Sequence, residues 1–157
     1  MGKRKSKIPY DERSDDEKLE SNWKKAKAQF DRKDWSASVL RAATTVEISA
    51  NIYIRSFLID GYDLPSTFVD ALLLSANGID GKFRRLVKPA AEVDGTWKEI
   101  SKIQKKIEGI NKQRNSVAHA GKFKNRPDAK AVFQNALEVI STLAPNEAKK
   151  LELPYES

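Results

Sequence analysis

Val93, Thr96, Ile100, Ile103, Ile107 and Ile110 recur at alternating spacings of three and four. Residues three and four apart share one face of an α-helix, whereas a half-buried strand would alternate every second residue. The row therefore requires a long helix with one buried stripe, and such a stripe needs partner helices to cover it. The next two positions in the row are Arg114 and Val117. A guanidinium where the pattern calls for isoleucine is costly to desolvate unless a carboxylate pairs with it or the stripe borders a wet cleft.

The remaining segments supply the partners. Ser14-Asp15-Asp16-Glu17 has the form of a capping box, and Leu19, Trp23, Ala26 and Phe30 then make one apolar stripe of a first helix ending near Arg32. Trp35 is expected in the corner that follows, as a core aromatic. Residues 36–59 are the most apolar stretch. Their β-branched residues would allow a strand, but the length and the row Leu40, Ala43, Glu47, Ala50, Ile54, Phe57 favour a central helix. Glu47 interrupts that row as Arg114 interrupts the other. A Glu47 to Arg114 contact, direct or across a dimer, would answer both desolvation costs, and a plain staple between two helices is the simpler form of the same pairing.

Pro65 suits the start of a third helix to about residue 77, with Phe68, Leu72 and Leu73 inward and Gly78 as its stop. Residues 79–88 are compatible with a short helix before Pro89, carrying Lys82, Arg84, Arg85 and Lys88 as either a solvated face or a phosphate-contacting rim. Pro127-Asp128 opens a last helix, with Ala129, Val132, Phe133, Ala136, Leu137, Ile140 and Leu143 inward and Pro145 ending it. The expectation is an all-α fold, a single bundle of about five helices over 14–144. A basic tail over 1–13 and a C-terminal tail over 145–157 would flank it.

Composition narrows the chemistry. A chain of 157 residues has room for one domain with a real core. It has no cysteine and one histidine, which removes disulfides, thiolate chemistry and the usual zinc constellations within one chain. No metal or other cofactor is expected. No apolar run approaches the roughly 18 residues of a membrane span, and the N-terminus lacks a signal-peptide core, so a cytoplasmic protein without membrane contact is expected. A net charge of +7 favours an anionic partner. Part of that excess sits in Lys3, Arg4, Lys5 and Lys7, and part on the outer face of the long helix at Lys98, Lys102, Lys105, Lys106 and Lys112, where it serves equally as solvent coating or as an RNA track.

The only histidine lies in Gln113-Arg114-Asn115-Ser116-Val117-Ala118-His119-Ala120-Gly121. His119 is five residues past Arg114, about 140° around an ideal helix, while Asn115 and His119 share a face. Gly121 is a natural C′ residue, placing His119 in the last turn, where the long arginine arm can reach it. The loop that follows holds Lys122, Lys124 and Arg126. A histidine just before a glycine stop is also an ordinary helix-terminal residue.

The run IEGINKQRNSVAHAGKF, at the end of a long amphipathic helix and followed by one more helix, resembles the Arg-x4-His signature of the HEPN superfamily, small helical domains that include RNA-cutting toxins and defence nucleases. The likeness extends over roughly residues 15–143. It implies a metal-independent endoribonuclease in which paired motifs from a homodimer form one composite site, with Arg114, Asn115 and His119 as catalytic residues. From the residues themselves, Glu47 is a supporting group through the pairing with Arg114, and Lys122, Lys124 and Arg126 are RNA-binding candidates because they follow His119 closely in the chain. Arginine can balance charge on the phosphorane, and a histidine can move a proton near neutral pH. Tyr10, Tyr53 and Tyr62 are conceivable auxiliaries that no spacing favours. A neutralising antitoxin of nucleotidyltransferase type is an implied partner. A catalytically inactive module that binds nucleic acid or protein, and a purely structural adaptor, remain the other readings.

Overall fold

The computed structural model describes residues 14–155, which are all-α and contain seven packed helices and no strand. The basic tail expected over 1–13, with Tyr10, lies outside the described residues. Helix α1 is Asp15–Asp31 and α2 is Trp35–Arg55, continued by a π-helical turn Ser56–Asp60. Helix α3 is Ser66–Ser75. Helix α4 has three parts, Ile79–Lys82, a π turn Phe83–Val87, and Lys88–Asp94. Helix α5 begins as Trp97–Ile100, tightens into a 3-10 turn Ser101–Ile103, and continues as Gln104–Ala118. Arg126–Leu143 is α6 and Pro145–Ala148 is α7.

Ser14 forms its capping box with Glu17, accepting from the Glu17 amide at 3.2 Å while the Glu17 carboxylate accepts from Ser14 N–H. The chain reverses through residues 32–34, where Lys33 has φ of +64°, and the Asp34 carboxylate caps α2. Helix α2 lies at the centre against α1, α5 and α6. Its buried hydroxyls are satisfied within the helix: Ser38, Thr45 and Ser49 donate to the carbonyls of Trp35, Ala42 and Val46. Its own Val39, Val46 and Ile54, and around it Leu19, Ile107, Ile110, Phe133 and Ile140, are almost completely buried.

The expected stripe on α5 holds from Ile100 to Ile110, all buried. Val93 does not join it. It belongs to α4 and is 68% exposed, because Gly95, with φ of +76°, turns the chain before α5 begins.

Three further expectations change. The third helix buries Val69 and Leu73, while Phe68 is 55% exposed and Leu72 half-buried. Helix α4 runs through Pro89 instead of stopping before it. Proline offers no amide to a preceding carbonyl, and the wider π turn at 83–87 absorbs the break, with the Lys88 amide donating to the Phe83 carbonyl. The chain also does not end its fold at 144. Leu151 is buried, the Trp23 indole donates to the Glu152 carbonyl at 2.7 Å, and the Tyr155 hydroxyl donates to the Lys130 carbonyl at 2.8 Å. Residues 145–155 thus form a strap across α1 and α6, and with α4 they raise the bundle from about five helices to seven.

Candidate functional site

Arg114, Asn115 and His119 lie at the C-terminal end of α5. The stripe runs out here: Ile110 is fully buried, Arg114 and Val117 are half-buried, and His119 is exposed. Arg114 therefore sits where the apolar row opens to solvent, so its charge stays hydrated without a buried partner. Its Nη1 lies 3.4 Å from the Asn115 side-chain oxygen, a long contact. The Asn115 side chain thus faces the guanidinium, while its carbonyl accepts from the His119 amide at 2.9 Å and closes the last helical turn.

The helix closes with His119 as its C-cap, one residue earlier than Gly121 at C′ would place it; Gly121 follows with φ of +62°, and the Lys122 amide donates back to the Ser116 carbonyl at 3.0 Å. The loop then crosses to the start of α2, where the Lys124 amide donates to Ser36 Oγ at 2.9 Å. Asn125 caps α6 by a second capping box with Asp128. The Arg126 guanidinium lies 5.6 Å over the ring of Phe30, which in turn contacts Trp35, Phe133 and Tyr155. Lys122, Lys124 and Arg126 are thereby gathered at one end of the bundle, beside the turn carrying Arg32 and Lys33.

Glu47 does not meet Arg114 within the chain. Its Oε1 accepts from Lys82 Nζ at 2.9 Å and from the Gly78 amide at 3.0 Å. Lys82, only 5% exposed, is likewise no part of a phosphate rim. Helix α4 lies against α2 and brings an ammonium to the carboxylate first. The rest of that basic group is also partly engaged, Arg84 with Asp80 and Lys88 over the Trp97 ring. On the outer face of α5, Lys102 pairs with Glu99 and Lys106 with Glu138.

No protein-family model, curated protein or solved structure matches the chain.

A cleft of about 1000 Å³ lies elsewhere, at the far end of α2. From Ser36 to Ile52 the helix climbs about 24 Å at 1.5 Å per residue. Asp15, Asp16, Asp60, Asp94 and Glu147 line this cleft with Arg55, which is tied to Asp15 and Asp70, so it is poorly suited to a phosphate. Tyr53 and Tyr62 also lie there, away from His119. Burial, with the Asp94 charge adding to it, holds the Tyr53 phenol above its ordinary range, and it stays protonated at neutral pH. Among the described residues no three His, Cys, Asp or Glu side chains converge as metal ligands do.

Two residues at the motif end escaped notice in the sequence. Phe123, between two lysines, is 94% exposed, and the Gln113 side-chain oxygen is buried without a hydrogen-bond partner. The first was legible as an aromatic inside a short basic loop. The second had no signal, because burial of one amide oxygen depends on which helices close over it.

Proposed function

We propose that the chain is a metal-independent endoribonuclease of HEPN type that works as a homodimer on RNA in the cytoplasm. What supports this is the exposed imidazole of His119 at the open end of α5, with the half-buried Arg114 and Asn115 one helical turn earlier in the chain and a basic loop following it.

The chemistry follows from those groups. A 2′-hydroxyl loses its proton and attacks the adjacent phosphorus, and the bond to the 5′-oxygen breaks as that oxygen takes up a proton. The products are a 2′,3′-cyclic phosphate and a 5′-hydroxyl. Arg114 stabilises the charge that builds on the non-bridging oxygens, a role suited to a planar cation that does not lose its proton. Asn115 orients that guanidinium. His119 supplies proton transfer. One chain carries a single histidine. A two-fold dimer presents two, which allows one base and one acid at the same phosphate.

Cleavage of a defined RNA by the wild type, His119→Ala and Arg114→Ala, each with unchanged helicity and mass in solution, tests this. His119→Ala is expected to slow cleavage by about 10²–10⁴ and Arg114→Ala by about 10²–10³, with cyclic-phosphate ends on the wild-type products. Equal cutting by all three sinks the proposal. Tight RNA binding without cutting would instead favour the binding-only reading. Slow growth on expression, relieved by either substitution, would extend the proposal to a toxin held in check by an antitoxin of nucleotidyltransferase type.

A further inference from the structure

Phe123 is the most exposed large apolar side chain among the described residues. Its exposure does not come from a slack loop. The backbone is fastened on both sides of it, by Lys122 N–H to the Ser116 carbonyl and by Lys124 N–H to Ser36 Oγ, and Asn125 next in line caps α6. A ring held away from the core by anchored backbone is presented to something.

The surroundings specify what. Lys122 and Lys124 flank the ring in the chain, and Arg126 follows. Two carboxylates near the loop ends, Asp34 and Asp128, already accept from backbone amides at helix caps, from Ala37 and Asn125 respectively. With Arg32 and Lys33 on the adjoining turn, five cations at this end outnumber the carboxylates of Asp31, Asp34 and Asp128, and its net charge is positive. A flat apolar face set between cations fits an unpaired nucleobase with a phosphate on either side. A duplex offers no such face, because its bases are already stacked on one another. An acidic peptide would satisfy the lysines and leave the ring without a matching surface.

We infer that the 121–125 loop docks single-stranded RNA, with Phe123 stacking on an unpaired base and Lys122 and Lys124 holding its neighbouring phosphates. The base so held lies a few residues of chain from His119, so the loop would select an unpaired nucleotide next to the bond that is cut. This deepens the ribonuclease reading and takes its ligand class from it.

The test measures binding in the His119→Ala background, where no cleavage interferes. Fluorescence anisotropy is read with a labelled unstructured oligoribonucleotide, its duplex, and a polyglutamate peptide. Phe123→Ala is expected to weaken single-strand binding roughly tenfold or more. Phe123→Trp should restore it, Phe123→Leu should not, and duplex binding should change little. Single-strand affinity that is unchanged in Phe123→Ala, or the absence of any single-strand binding by the His119→Ala protein that keeps Phe123, overturns the inference. So does Phe123-dependent capture of the peptide, or a lower mass of Phe123→Ala in solution, which would make the ring a protein contact. The two proposals fail separately. Phe123-dependent binding without wild-type cleavage removes the nuclease alone, and His119-dependent cleavage that Phe123→Ala leaves intact removes the docking alone.

Discussion

Lys82 shows how a buried charge is tolerated inside this bundle. Its ammonium is almost fully enclosed and has the Glu47 carboxylate 2.9 Å away, while the Gly78 amide supplies that carboxylate with a second donor. Removing one partner of such a pair leaves the other poorly solvated, which costs more than the pair contributes. Glu47 keeps 28% of its side-chain surface in water, and that screening reduces the penalty. Glu47→Ala and Lys82→Ala are each expected to destabilise the fold by about 1–3 kcal/mol. The double substitution should cost less than their sum, by chemical denaturation of all four proteins. Strict additivity would mean the two groups do not interact. Arg114 differs because it sits at the end of its stripe with a route to water, so it needs no carboxylate to be tolerated.

Among the elements, the strap of residues 145–155 depends most on partners distant in sequence. Leu151 is buried, Glu152 accepts from the Trp23 indole, and Tyr155 lies against Phe30 with Lys130 above its ring. A chain ending after Lys149 loses the burial of one leucine and part of one tyrosine, and leaves an indole N–H without its acceptor. About 2–4 kcal/mol of stability should go with it, which at this size is roughly 5–15 °C in melting temperature. An unchanged melting temperature would show that the strap merely rests on the surface. The π turns are element-scale devices of another kind. At Ser56–Asp60 the turn brings Gly61 so close that a Cβ there would come 2.5 Å from the Phe57 carbonyl oxygen, so a larger residue would force the end of α2 to move.

At the scale of the whole molecule, the motif end and the acidic cleft occupy opposite ends of α2. Separation of this kind leaves the basic end free to meet a polyanion without a carboxylate-lined cleft beside it. The proposed composite site adds a prediction about subunit dosage. If two His119 rings serve one phosphate, wild-type protein exchanged with increasing amounts of His119→Ala subunits loses cleavage with the square of the wild-type fraction. A linear loss would mean that each chain carries a complete site, and the two-imidazole scheme would fall.

What the amino-acid order determined by itself was the local physics. The Ser14 capping box and the Ile100 to Ile110 stripe each depend on residues within a few positions of one another and stand where the spacing put them, and the helix stop signalled by Gly121 falls one residue earlier than expected, with His119 as the C-cap. Only the tertiary structure decided which charge met which. Glu47 and Arg114 are both intruders in apolar rows, yet the carboxylate belongs to Lys82, because that choice depends on which helix lies across α2 rather than on either row. The same holds for the strap, whose polar tail sequence hides a buried leucine and two long-range hydrogen bonds, and for Phe123, whose exposure follows from the Ser36 hydroxyl that anchors its loop from 88 residues away. Spacing along a chain fixes faces and ends. Partners are fixed only when the faces close on one another.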